Sequence, residues 1–159
     1  MYTIPTLGKE WRVSLDFKPT DYSYTGHASL LHLTLGANSG TYGDRYPAVL
    51  FHPSEGICIA SAVNDDHDYF QTSLLDRPKI GEWTSLDIAQ EQEEGGKFVF
   101  RIVIGGKEIS SVENTNPVEM KDVKVYASDP WHPAQPGSIK AWLIQTKLGQ
   151  FCFLLLLLD

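Results

Sequence analysis

Apolar and polar side chains alternate with a period of two through almost the whole chain, and no segment carries a sustained helical stripe. Residues 11–18 show it most clearly, since Trp11, Val13, Leu15 and Phe17 are separated by charged or small polar residues. A period of two places alternate side chains on opposite faces of a β-strand, so the pattern predicts half-buried strands. The same reading predicts strands at residues 31–35, 48–52, 56–63, 69–73, 83–88, 98–104, 123–126 and 139–143.

Turn residues separate these strands at regular intervals. The clearest is Gly105-Gly106, because both central positions of a two-residue hairpin favour positive φ. Counting the strands between turns predicts about ten or eleven, and many short strands with regular turns indicate a sandwich or a barrel. A weak helical pattern at residues 87–94 competes with the strand prediction there. Residues 1–146 show no internal boundary, so we expect one all-β domain there.

Composition limits the kinds of function that the chain can have. The formal net charge is -7 and no basic run occurs, which argues against nucleic acid as a partner. Two cysteines, Cys58 and Cys152, do not make a disulfide framework, and Cys58 lies in an apolar run typical of a buried strand. The first residues show no signal-peptide pattern, and no stretch approaches the roughly 18 apolar residues of a membrane helix.

The last segment, residues 147–159, departs from the pattern because it ends in a run of five leucines. We treat it as an apolar low-complexity tail. Three interpretations remain open: a cloning-derived or frame-shifted extension, a docking or membrane-contact segment, and a last edge strand. An exposed leucine run would promote aggregation.

An acidic segment and a nearby aspartate form the first candidate site. Asp65, Asp66 and Asp68 crowd into residues 64–68, and Asp44 lies in another turn-rich segment. Carboxylate oxygens suit calcium, so these four side chains are a candidate metal set with calcium as the candidate cofactor. The alternative is a solvated turn, since the spacing is not that of an EF-hand loop.

A proline-stiffened loop at residues 128–137 forms the second candidate site. Three prolines fix φ, and a rigid loop lowers the entropic cost of binding. Trp131 and His132 would be presented to a ligand, while Asp129 and Gln135 could bond its hydroxyl groups. The alternative is that Trp131 plugs one end of the sandwich. Recognition or rim packing would equally explain the tyrosines in the turns, of which we select Tyr42 and Tyr46 as ligand-binding candidates.

Catalytic motifs are absent from the sequence. It has no paired-carboxylate strand of the glucanase type and no Gly-x-Ser-x-Gly elbow. The five histidines show no tight metal spacing, and His32 and His52 are expected on the alternate faces of their strands, which are wet or concave. A zinc site would require the histidines to converge in space. We therefore predict a non-catalytic protein.

Several segments resemble successive strands of a laminin-G-like domain of the concanavalin-A-like jelly-roll superfamily. They are residues 11–19, 29–36, 81–90, 98–108 and 123–146. The best marks of the resemblance are Gly81-Glu82-Trp83, the Ile104–Lys107 hairpin and Gly137-x-Ile139. The resemblance implies an all-β, two-sheet antiparallel jelly-roll sandwich and an extracellular, secreted setting. It also implies binding of sugar or protein, often with calcium.

The leading hypothesis is therefore an extracellular carbohydrate-binding module with its site at the loop rim or the concave face. A protein adhesion or assembly module is the alternative, and a glycoside hydrolase is the least favoured. The expected partners are a glycan or an extracellular protein, with oligomerisation left open and no transmembrane segment.

Overall fold

The regular structure of the chain is entirely β in the residues described by the computed structural model, which are 1–73, 77–147, 149–153 and 156–158. The strands in chain order are β1 (Tyr2–Leu7), β2 (Trp11–Pro19), β3 (Ala28–Thr34), β4 (Ala48–His52), β5 (Gly56–Val63), β6 (Asp66–Ser73), β7 (Thr84–Gln92), β8 (Phe98–Ile104), β9 (Lys107–Asn114), β10 (Met120–Tyr126), β11 (Gly137–Thr146), β12 (Gly149–Phe153) and β13 (Leu156–Leu158). In that part of the chain no helix has the length and apolarity needed to cross a membrane.

The strands form two antiparallel sheets. The first sheet has the order β1-β10-β3-β4-β5-β6, and the second has the order β12-β11-β2-β7-β8-β9, with β13 also pairing with β11. Four of the pairs, β1-β10, β10-β3, β11-β2 and β2-β7, join strands that are distant in sequence, and the chain crosses repeatedly between the sheets. The predicted two-sheet antiparallel sandwich is confirmed.

The core lies between the sheets, where the alternating apolar residues meet. In β2, Trp11, Val13, Leu15 and Phe17 are buried and the intervening residues are half-buried, as predicted. The Phe17 ring of the second sheet lies 5.3 Å from the Phe51 ring of the first, centroid to centroid. Burial of one such side chain contributes about 1.5–3 kcal/mol, so these contacts hold the two sheets together.

The hairpin prediction is confirmed, and the strand prediction is correct where the weak helical pattern competed with it. Gly105 and Gly106 have φ of 57° and 80° and join β8 to β9. The weak helical segment forms the second half of β7, which pairs with β2 and β8. Two neighbouring strands supply a complete hydrogen-bond ladder there, and this outweighs a weak local helical preference.

Other strand limits differ from the expectations. β1 was not predicted; it is an edge strand that pairs with β10 and contains Pro5, a residue that argues against a strand in the sequence. β6 begins at Asp66, so part of the acidic segment lies on a strand rather than in a turn. Leu35 is exposed because β3 ends one residue before it.

β3 is buried at every position, on both faces of its sheet. His32 is fully buried, so its expected placement on a wet face is wrong. The reason is tertiary: the segment after β10 returns across the outer face of β3, with backbone hydrogen bonds from Ser29 N–H to Pro133 O (2.7 Å) and from Gln135 N–H to Ser29 O (2.8 Å).

The backbone of the apolar tail extends the second sheet. β12 pairs with the C-terminal half of β11, from Thr146 opposite Gly149 to Trp142 opposite Phe153. β13 pairs with the start of β11, where Gly137 is opposite Leu158. The remaining tail positions, 148, 154, 155 and 159, lie outside the described residues.

Candidate functional site

The proline-rich loop between β10 and β11 is tied down at both ends. Tyr126 pairs with His32 before the loop begins, and Ala134 bridges to Ser29 at its end. Thr20 N–H then donates to Pro136 O at 3.0 Å. We call residues 127–136 the crossing loop. Fixed ends and prolines together give this loop one backbone path over the first sheet.

The Asp129 carboxylate organises the crossing loop from within. Its side chain is fully buried, and its Oδ1 accepts hydrogen bonds from the backbone N–H groups of Trp131 (2.9 Å) and His132 (2.8 Å). The Asp129 N–H donates to the hydroxyl of Ser29 at 3.2 Å. A carboxylate that accepts two backbone N–H bonds sets the direction of both following residues.

His32 is the buried counterpart of Asp129. Its Nδ1 lies 3.0 Å from Asp129 Oδ2, and its Nε2 lies 2.7 Å from the backbone oxygen of Asp44. Because both partners are acceptors, the doubly protonated imidazolium satisfies both contacts. Burial raises the pKa of Asp129, but the His32 hydrogen bond and the His132 charge outweigh it and hold this pKa well below its usual range.

This arrangement holds the Trp131 side chain at the surface. Its ring packs edge-on against the rings of His32 (5.3 Å between centroids) and Tyr126 (6.1 Å), and 38% of the residue remains exposed. Its backbone is held by Asp129. An exposed indole with its rotamer and backbone already fixed can stack on a flat apolar ligand surface at small entropic cost.

The structure brings four of the six predicted ligand-binding residues together in the crossing loop. Two of them are exposed at least in part, and two are buried. Trp131 reaches the surface and the His132 side chain is partly exposed. Asp129 and Gln135 are buried, and Gln135 Nε2 donates to Asp21 O (2.9 Å) and Pro136 O (3.1 Å). Their polar atoms are therefore already used inside the protein, where they shape the loop.

The two predicted tyrosines lie apart from this loop, and one is not at the surface. Tyr46 is fully buried, and its selection as a ligand contact is wrong for that reason. Burial raises the pKa of Tyr46 to about 12, and its hydroxyl donates to Val118 O at 3.3 Å. Tyr42 is half-buried against the core, and its hydroxyl donates to Asn116 O at 3.0 Å.

The four predicted calcium ligands each face a different partner. Asp44 accepts from Thr41, and Asp68 forms an ion pair with Arg45 at 2.9 Å. Asp65 accepts from the Asn116 amide and Asp66 from the Asp68 N–H. Within the described ranges, none of the four belongs to a group of three or more metal-ligating side chains with ligand atoms within 4.8 Å. The structure does not gather this set, and calcium binding by it stays a prediction.

A second cluster lies beside the crossing loop and was missed from the sequence. The His27 ring lies 4.9 Å from the His52 ring and 6.3 Å from the His132 ring, centroid to centroid. Burial lowers the pKa of His27, and the neighbouring His52 adds to the effect. Burial likewise raises the pKa of the Cys58 thiol to about 12, with a contribution from Glu55. The available signal was the three-residue spacing His52, Glu55, Cys58 across the β4–β5 turn.

A depression of about 400 Å³ lies on another surface, lined by residues that include Trp11, Arg12, Glu91 and Lys147. Arg12 is paired with Glu91 at 2.8 Å, and Trp11 is buried. The charged lining is thus neutralised within the protein, and the depression offers less to a ligand than the exposed indole of Trp131.

Comparison with known proteins gives the fold class. Neither a protein-family model nor a curated protein sequence matches the chain. A heptameric SAP-like pentraxin from Limulus polyphemus matches with a TM-score of 0.58 and 11% identity, over 91% of this chain and 66% of that one. The botulinum neurotoxin serotype D binding domain matches with a TM-score of 0.53 and 12% identity, over 93% of this chain and 33% of that one. Sheep galectin-11, in complex with glycerol, matches with a TM-score of 0.43 and 13% identity, over 78% of this chain and 87% of that one.

The first two matches show that this chain has a jelly-roll β-sandwich fold, which confirms the predicted fold class. The chain spans less than two thirds of the length of either protein. The narrower laminin-G assignment is not among these findings and stays a prediction.

Proposed function

We propose that this chain is a non-catalytic extracellular binding module that takes carbohydrate at the crossing loop. The observation that carries the proposal is the exposed Trp131 indole, which a buried carboxylate and two aromatic neighbours hold in one orientation. A sugar ring presents an apolar face of C–H groups that stacks on an indole, and its hydroxyl groups need polar neighbours. The partly exposed His132 imidazole supplies one such neighbour.

The fold is compatible with this role without proving it. The two solved structures with the higher TM-scores are a pentraxin and the binding domain of a neurotoxin, and a shared fold alone does not fix function. Secretion and assistance by calcium are further parts of the proposal. A catalytic role is not favoured, because Glu91 and Glu93, two carboxylates of the acidic stretch around the end of β7, are paired with Arg12 and Arg101.

A protein partner is the second candidate, favoured by another surface. Ile80 is 57% exposed and Trp83 is 40% exposed, in the segment that leads into β7. Trp83 differs from Trp131 because the Nζ atoms of Lys18 and Lys140 lie 5.2 and 4.2 Å from the centroid of its ring. Lysines against the indole leave less of it free for stacking, so this patch suits a protein interface better than a sugar.

The test is a glycan array with wild type, Trp131→Ala and Trp83→Ala, each with calcium and with chelator. The two tryptophans have similar exposure, so Trp83→Ala is a matched control. Covering the exposed 38% of Trp131 removes roughly 90 Å² from water and contributes about 2 kcal/mol, or about 30-fold in Kd. We expect that loss in Trp131→Ala only. No bound glycan in either condition, or an equal loss in both variants, would contradict the proposal.

A further inference from the structure

The β4–β5 hairpin places metal-ligating side chains on the outer face of the first sheet. Leu50 is opposite Cys58 and His52 is opposite Gly56, so His52 and Cys58 share one face, with Glu55 in the turn between the strands. His27 immediately precedes β3, whose first residue Ala28 is opposite Phe51. A tight turn and one neighbouring strand thus gather residues from two separate parts of the chain.

The distances among these side chains suit a shared ion. One ligand atom each from His27, Glu55 and Cys58 lies within 4.8 Å of the others. Cys58 Sγ is 3.8 Å from Glu55 Oε2, and the His52 ring lies 4.9 Å from the His27 ring, centroid to centroid. Ligand atoms around a tetrahedral zinc ion at about 2.0–2.3 Å lie roughly 3.3–3.8 Å apart, so small rotations of these side chains would close the set.

Hydrogen bonds among the described residues do not satisfy all the polar atoms of this cluster. His27 Nε2 is buried and has no hydrogen-bond partner among the described residues. Among the described residues, the Cys58 thiol makes long contacts of 3.8 Å to Glu55 Oε2 and Gly56 O. A buried imidazole nitrogen without a partner is costly, and coordination of a cation is one way to satisfy it.

We propose that His27, Glu55 and Cys58 bind a zinc ion, with His52 or water in the fourth position. The donor set decides the metal, because thiolate and imidazole ligands select zinc over calcium or magnesium. The Cys58 thiol gives up its proton to solvent as the Zn–S bond forms. His52 Nδ1 lies 2.9 Å from the hydroxyl of Ser54, which fixes the ring so that Nε2 is its ligand nitrogen.

The experiment uses the full chain, stripped with chelator and titrated with ZnCl2 or CoCl2. We expect one zinc per chain, a thiolate-to-cobalt charge-transfer band in the near ultraviolet, and no displacement by excess calcium. The Tm should rise by about 5–10 °C when free zinc is about a hundredfold above Kd. These readouts do not involve glycan, so their failure is separate from failure of the proposed carbohydrate site.

Matched variants assign the ligands. Cys58→Ser should lose the charge-transfer band and weaken zinc binding at least tenfold, whereas Cys152→Ser should keep both. His27→Ala should weaken zinc binding, and His67→Ala, at an exposed histidine outside the cluster, should not. If Cys58→Ser fails to fold, Glu55→Gln at the exposed turn position replaces it. Absence of stoichiometric zinc in wild type, or unchanged affinity in Cys58→Ser or in Glu55→Gln, would overturn the proposal.

Discussion

Removal of the Asp129 carboxylate is the most informative single perturbation of this protein. Asp129→Ala deletes the acceptor of the Trp131 and His132 backbone N–H groups and leaves the buried His32 ring without its carboxylate. Asp129→Asn keeps an oxygen for the two N–H groups. Its amide can also donate to Nδ1 of a neutral His32 whose Nε2–H still bonds the Asp44 carbonyl.

The expected losses follow from this difference. Deleting one partner of a buried pair costs about 3–5 kcal/mol, because the other partner stays buried and unpaired. For a chain of 159 residues, that loss lowers Tm by roughly 6–20 °C. Asp129→Asn retains the hydrogen-bond pattern, so we expect it to cost only about 1–2 kcal/mol.

Urea unfolding monitored by tryptophan fluorescence measures both losses. The m-value should stay constant, so that a shift in the midpoint reports stability alone. The expected loss for a broken buried pair is about 3–5 kcal/mol. If Asp129→Ala instead unfolds within about 1 kcal/mol of wild type, the assigned role of the carboxylate is refuted. Equal losses in Asp129→Ala and Asp129→Asn would show that the amide of Asp129→Asn does not hydrogen-bond a neutral His32.

The pH dependence gives an independent check. The pKa of Asp129 is lowered in the folded protein, so its stabilising contribution is fully present above the unfolded value of about 3.9. That contribution is lost as the pH falls below this value and the carboxylate takes up a proton. As the pH falls from about 4 towards 2, wild type should therefore lose stability. A free energy of unfolding that stays level over this range would contradict the lowered pKa.

Two further substitutions test the close packing and the corrected role of Tyr46. Gly137→Ala would place its Cβ 2.5 Å from the Lys18 carbonyl oxygen, so we expect urea unfolding to show a loss of about 1–3 kcal/mol. Gly8→Ala, whose nearest neighbour would lie at 3.8 Å, is its control and should change stability by less than about 0.5 kcal/mol. Tyr46→Phe removes the buried hydroxyl and should cost about 1 kcal/mol while leaving ligand affinity unchanged. A change in ligand affinity in Tyr46→Phe would show that Tyr46 contributes to ligand binding after all.

Local chemistry was sufficient to predict most of the strands between residues 11 and 146 and the β8–β9 hairpin turn. The alternation in β2 follows directly from the two faces of a strand, and it holds at every position from Trp11 to Pro19. Gly105-Gly106 predicted its hairpin because a two-residue turn requires positive φ. These features depend on neighbours only a few residues away, which is why a single sequence contains them.

The candidate site was only partly predictable, because its side chains contact residues that are distant in the chain. The prolines and Trp131 indicated a rigid loop with an aromatic side chain, but not what lies beneath it. Burial of Asp129 depends on His32, which is 97 residues away in the chain. The aspartates of residues 44–68 looked like one ligand set, yet Arg45 and Thr41 already bond two of them. Side-chain partners of this kind are set by the fold, not by spacing.

The sequence by itself determined an all-β sandwich or barrel with a stiff loop, because period and turn chemistry are local properties of the chain, and the resemblance to jelly-roll domains implied the two sheets. Only the tertiary structure decided which polar groups remain available. The crossing loop buries one face of β3, which turns Asp129 into an internal support and leaves Trp131 at the surface. The pairing of β3, β4 and β5 likewise brings His27 beside His52 and Cys58. Such convergence comes from the pairing of whole strands, and no periodicity along the chain encodes it.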